Sequence, residues 1–163
     1  MSNAIKSFFF LVSLFCGYTC NAQNEVYASE VKQVITDTVF VNLKDFSQDF
    51  IYDMKYANDD NFLKAKVYDC AECFLRYKTV QALIAANNDF KKKGFRIKLY
   101  DCYRPLSIQK KMWEIVSNPE YVADPKKGSI HNRGRAVDIS LVDSNGIEVD
   151  MGTPFDFFGI QAS

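Results

Sequence analysis

One histidine and one aspartate stand seven positions apart in Gly128-Ser129-Ile130-His131-Asn132-Arg133-Gly134-Arg135-Ala136-Val137-Asp138. An imidazole and a carboxylate that converge on a cleft are suitable metal ligands, above all for zinc. The same pair can also close a loop as a hydrogen-bonded clasp, and spacing alone favours the clasp. His131 is the only histidine in the 163 residues. A site needing two or three histidines from this chain is therefore excluded, whereas a mixed site is not.

The elements that must position this pair follow from periodicity. Ala136 to Val142 reads as a strand entered through a loop. Period two puts Ala136, Asp138 and Ser140 on one face and Val137, Ile139 and Leu141 on the other, so the second face reads as core and the first as a cleft wall. A carboxylate there requires a partner, because burying it unpaired is unfavourable. Gly134 allows the loop to fold back so that His131 and Asp138 meet. Upstream, Thr38–Val41 and Phe50–Met54 have strand-like β-branched and aromatic content. Residues 74–93 read as a helix with Tyr77, Val80, Leu83, Ile84 and Phe90 near one face. It ends at Lys91-Lys92-Lys93-Gly94, with cations at the negative end of the dipole. Phe95–Leu99 alternates as a strand. Pro105 prevents simple continuation of the ladder, and a second helix follows over about 106–117, stopped by Asn118-Pro119. Asp143-Ser144-Asn145-Gly146 is a hairpin turn, with Ile147-Glu148-Val149 as the return strand. Antiparallel strands with helices from separate segments predict an α+β fold, an antiparallel sheet flanked by helices.

Composition narrows the partners. Lys+Arg and Asp+Glu balance at 20 each, so there is no basic excess for wrapping nucleic acid. Charged residues are 25 % and hydrophobic residues 48 %, which argues against disorder. Residues 1–22 read as a secretory signal, with Lys6, the apolar run Phe8–Phe15, and small residues placing cleavage before Gln23. Bulky Phe15 and Tyr18 disfavour a lipoprotein anchor at Cys16 or Cys20. Residues 23–37 form a loose leader and 38–163 the domain. The expected destination is exported and periplasmic, where a disulfide among Cys70, Cys73 and Cys102 can form; the pairing stays open. The Cys70-x-x-Cys73 spacing reads as structural before it reads as metal-binding or redox-active.

Four pieces in order resemble the zinc D-alanyl-D-alanine dipeptidases of the M15 peptidases, the vancomycin-resistance dipeptidase type. Ser129 to Asp138 is similar to S-x-H-x-x-G-x-A-x-D. Tyr56-Ala57-Asn58-Asp59-Asp60-Asn61-Phe62 is similar to Y-A-x-x-x-N-F. Tyr100-Asp101-Cys102-Tyr103-Arg104-Pro105 resembles Y-D-x-Y-R-P, and Met151 to Asp156 resembles M-G-[ST]-x-F-D. The resemblance covers about residues 40–160. It implies the hedgehog-like zinc D,D-peptidase fold, one Zn2+ per complete chain, and D-Ala-D-Ala or a peptidoglycan-derived dipeptide as partner. His131 and Asp138 match two of three zinc ligands. Arg104 matches the arginine that stabilises the transition state. Ser129 and Asp156 match positions holding the dipeptide's polar ends, Asp156 facing its ammonium group.

The family's third ligand is a histidine in E-x-W-H, whose Glu is the general base, and neither matches a residue of this sequence. Cys102 is the one substitute ligand suggested by proximity to Arg104, and it does not occupy a ligand position of the pattern. The expectation is a truncated member, inactive as written, whose apolar Phe155–Ile160 awaits a cover. The alternatives are a catalytically dead module that binds dipeptide or peptidoglycan stem, and an M15 endopeptidase, against which the ammonium clamp Asp156 argues.

Overall fold

The computed structural model describes residues 35–162. The signal at 1–22 and most of the leader lie outside the described residues. Two sheets and two α-helices make up the domain. β1 (Phe40–Asn42) pairs antiparallel with β3 (Phe74–Arg76), and a three-stranded sheet has the order β2 (Ile51–Tyr52), β4 (Arg96–Asp101), β5 (Asp138–Val142). The helices are α1 (Tyr77–Lys91) and α2 (Leu106–Ile115).

This mixed α/β arrangement corrects two expectations. The larger sheet is not wholly antiparallel: β2 runs parallel to β4, and β5 antiparallel to it. Parallel neighbours need a crossover, and the chain between β2 and β4 supplies one that contains α1. Residues 74–76 are strand, not the first turn of the helix. Leu75, fully buried, pairs with Val41, and Arg76 keeps extended dihedrals as the residue before α1. The helix end at the lysine run is as read: α1 stops at Lys91, and Gly94 takes φ +82°.

The face assignment of β5 is also revised. Ser140 and Val142 are buried, while Ile139 is 39 % exposed. Val137 and Leu141 still pack against the core. The return strand reduces to a bridge between Val142 and Glu148, with Val149 donating its N–H to the Leu141 carbonyl. Asp143 Oδ1 holds the turn by accepting the Asn145 and Ile147 N–H groups.

Two apolar clusters carry the fold. Leu43, Leu75, Val80, Ile97 and Leu99 pack with the Cys73–Cys102 disulfide in the first. Tyr56, Leu63, Val67, Tyr68, Met112 and Val122 form the second. Each fully buried aliphatic side chain contributes roughly 2 kcal/mol by removal from water. The disulfide resolves the open pairing, leaves Cys70 as an exposed thiol, and removes Cys102 as a metal ligand. No helix among the described residues is long and apolar enough to cross a membrane.

Candidate metal centre

The site forms where β4 ends. The ladder with β5 is irregular between Leu99 and Asp101, and beyond Asp101 the chain leaves the sheet for Pro105 and α2. That departure places Asp101, Arg104 and the Cys102 carbonyl beside the first residue of β5, Asp138, which is the register partner of Asp101.

His131 opens a short 3-10 turn, His131–Arg133, closed by Gly134 in the left-handed region at φ +63°. A Cβ on Gly134 would lie 2.3 Å from the Phe40 ring and 3.2 Å from the Arg76 nitrogen, so glycine is required by both backbone and space. The Gly134 carbonyl accepts from Arg76 N–H and the Thr79 hydroxyl, and the His131 carbonyl accepts from Arg104 N–H. The turn is thereby fastened to β3, α1 and the Arg104 loop together.

The His131 ring is buried, and its Nδ1 lies 2.9 Å from the Cys102 carbonyl. A carbonyl only accepts, so the bond places a proton on Nδ1 and turns Nε2 toward Asp138. Nε2 faces Asp138 Oδ1 at 3.4 Å. Two ligand atoms on a tetrahedral ion with bonds of about 2.1 Å lie about 3.4 Å apart, so the pair fits a shared metal ion. Burial alone would lower the imidazole pKa; Asp138, Asp101 and the Cys102 carbonyl outweigh it and hold it above the usual value.

Asp101, His131 and Asp138 bring ligand atoms within 4.8 Å of one another, the composition of a metal site. Within it Asp101 lies on the far side of the ring, 3.6 Å from Nδ1. Its fully buried carboxylate already accepts from the Tyr68 hydroxyl at 2.6 Å, Cys102 N–H at 2.9 Å, and Arg104 Nη2 and Nε at 2.6 and 3.1 Å. Asp101 therefore orients the groups around the centre, as outer carboxylates do in metal sites.

Arg104 is 8 % exposed and stacks over the Tyr56 ring at 5.2 Å. Nη1 donates to Gln109 Oε1 at 3.1 Å, and Gln109 in turn donates to the Ala123 carbonyl. Its Nε, Nη1 and Nη2 are thus all engaged, which fixes the guanidinium in place. Burial would depress the Arg104 pKa, but Asp101 reverses this and holds it above the ordinary value.

Asp156 sits at φ +56°, a left-handed backbone that Asp tolerates better than most residues. The preceding Phe155 packs on Tyr56 and Tyr100, and the Tyr56 hydroxyl donates to Asp156 Oδ2 at 2.8 Å. Burial, with the Asp138 charge adding to it, pushes the Asp156 carboxyl up to about 6. It borders a cleft of about 520 Å³ that Lys55, Asn61, Phe62 and Tyr100 also line. Ser129 caps the histidine turn: its Oγ accepts His131 N–H at 3.3 Å, and its N–H is bound by Asn132 Oδ1.

The structure thus brings His131, Asp138 and Arg104 together, links Asp156 to them through Tyr56, and gives Ser129 a local backbone role. Asp101 and Tyr56 stand inside quoted motifs without having drawn a role from them. Tyr68 and Gln109 gave no sequence signal. Asn61 of the Y-A-x-x-x-N-F piece ties its own loop, donating to the carbonyls of Lys55, Asn58 and Ala65.

A family model of the M15 peptidases, described as D-ala-D-ala dipeptidase, matches residues 36–163. The chain belongs to this family. A D-alanyl-D-alanine dipeptidase of Escherichia coli (strain K12) is 35 % identical over 119 residues, which are 73 % of this M15 chain and 62 % of that relative. The chain thus spans less than two thirds of that relative's length. The resemblance read from four motifs is upheld.

Proposed function

We propose that this centre is the zinc and dipeptide site of a hydrolase acting on D-alanyl-D-alanine from the cell wall, in an exported, periplasmic setting. The observation that carries the reading is the Nε2 of His131 facing Asp138 at 3.4 Å while Nδ1 is fixed on a backbone carbonyl. These two residues would hold zinc, which would supply polarisation of a peptide carbonyl and activation of water. The Arg104 guanidinium, desolvated and fixed by Asp101 and Gln109, meets negative charge as it develops on the carbonyl oxygen. Asp156, steadied by Tyr56, takes the substrate's ammonium group and restricts the enzyme to free dipeptides. Ser129 binds the other polar end while keeping its place in the turn. The Cys73–Cys102 disulfide supports an oxidising compartment.

Among the described residues, His131 and Asp138 are the two ligands turned toward each other where a catalytic zinc site has three, and no residue is placed as general base. The chain alone is therefore expected to bind without efficient turnover, which is also what a dead binding module would do. Calorimetry of the full chain with zinc and D-Ala-D-Ala should show zinc-dependent dipeptide binding in about the millimolar range or tighter, lost in His131→Ala and Asp138→Ala. Absence of zinc binding would remove the metal reading. Efficient release of D-alanine would show that two ligands suffice. Equal binding of N-blocked peptides would favour the endopeptidase alternative over the ammonium clamp.

A further inference from the structure

Beyond Asp101 the ladder no longer fixes the chain, yet the Cys102 carbonyl is the group that selects the His131 tautomer. Something other than the sheet must hold that carbonyl. The Cys102 N–H on Asp101 Oδ1 and the Arg104 N–H on the His131 carbonyl hold this stretch locally, and two further links tie it to β3: the disulfide from Cys102 to Cys73, immediately before β3, and the Tyr103 N–H to the Phe74 carbonyl at 3.1 Å. The other end of the same short strand holds the histidine turn, through Arg76 N–H to the Gly134 carbonyl at 3.0 Å and Arg76 Nε to the Arg133 carbonyl at 3.0 Å. β3 is therefore a ruler three residues long. One end sets the acceptor, the other sets the ring, and the disulfide is its covalent fastening on the acceptor side. Both cysteines are essentially unexposed, at 0 and 1 %.

We infer that the Cys73–Cys102 disulfide positions the metal ligand: it fixes the Cys102 carbonyl so that His131 keeps its proton on Nδ1 and presents Nε2. Cys73 and Cys102 are positioning residues acting through His131. The inference rests on the metal reading only for its consequence; the tautomer itself is a property of the metal-free protein. A ring free to swing or to change tautomer must be reordered before it can bind a metal, which weakens affinity.

Because the sequence has one histidine, nitrogen NMR of the labelled imidazole reports on His131 alone. The test compares the full chain carrying Cys16→Ser, Cys20→Ser and Cys70→Ser, which removes the other thiols as stand-in partners or ligands, with the same chain also carrying Cys73→Ala and Cys102→Ala. At alkaline pH, where the ring is neutral, the disulfide-bonded chain is expected to show the Nδ1–H form alone. The disulfide-free chain, with its circular dichroism unchanged, is expected to show a mixture of tautomers and zinc affinity at least about 10-fold weaker. A single unchanged tautomer in a folded disulfide-free chain would overturn the inference. So would global unfolding of that chain and of the disulfide-bonded chain after chemical reduction, since the bridge would then serve stability and not the ligand. A clean Nδ1–H form in a disulfide-bonded chain that does not bind zinc would leave the positioning intact and sink the metal reading.

Discussion

The Asp101 carboxylate accepts hydrogen bonds from Tyr68, Cys102 and Arg104 and has no exposure to solvent. Removing one member of a buried ion pair strands the other charge, whereas replacing both members is far milder. Asp101→Asn should therefore destabilise the chain by about 3 kcal/mol in denaturant unfolding. The double variant Asp101→Asn with Arg104→Met should be less destabilised than the single one, and the reverse order would deny that the pair is buried as a unit. Asp156 offers a pH signature at the same scale. Its folded pKa of about 6 lies above the usual 3.8, so the neutral acid suits the fold. The contribution of Asp156 is fully present below about pH 4 and is lost as pH rises through 6. Asp156→Asn should remove that loss and gain about 1 kcal/mol over wild type at pH 7, a figure kept small for the group's partial exposure. Chemical denaturation from pH 4 to pH 7 measures it, and parallel profiles for the two proteins would count against a raised carboxyl.

At the scale of elements, what could be read depended on how local the determinant was. His131 and Asp138 lie in one short segment, and strand period plus a glycine hinge suffices to bring them together. The end of α1 was likewise written into Lys91–Gly94. β3 was not legible, because Phe74-Leu75-Arg76 adjoins a helical pattern and becomes strand only by pairing with β1, more than 30 positions upstream. The parallel pairing of β2 with β4 was hidden for the same reason, since the choice of neighbour is made by tertiary packing. The web of Asp101, Tyr68 and Gln109 joins three segments, and no spacing rule links them. The Gly134 hinge gives this scale its test. Gly134→Ala imposes a left-handed alanine and drives its Cβ toward Phe40, whose ring is held between Tyr103 and Arg76. A loss of about 2–3 kcal/mol is expected, with weaker metal binding because the turn carries His131. Unchanged unfolding midpoints would show that the loop can reroute.

On the scale of the whole molecule, the centre lies between the two apolar clusters. Leu99 and Cys102 belong to the first, Tyr56 and Tyr68 to the second, and Asp101 and Arg104 bond or stack with members of both. A metal ion held by His131 and Asp138 would join the histidine turn to β5, so its binding energy would appear as stability of the domain. At a zinc concentration about 100-fold above Kd the folded state gains about 2.7 kcal/mol. For a domain of this size that corresponds to roughly 10 °C in Tm. Thermal unfolding of the full chain across a zinc titration should follow this logarithmic rise, while His131→Ala should show none of it. The Cys70→Ser chain serves as the reference for both, because an exposed thiol can bind zinc in the unfolded state and mask the effect. A rise of equal size in Cys70→Ser chains with and without His131 would place the metal elsewhere on the surface, and the centre at the end of β4 would then have to be explained as a hydrogen-bonded clasp.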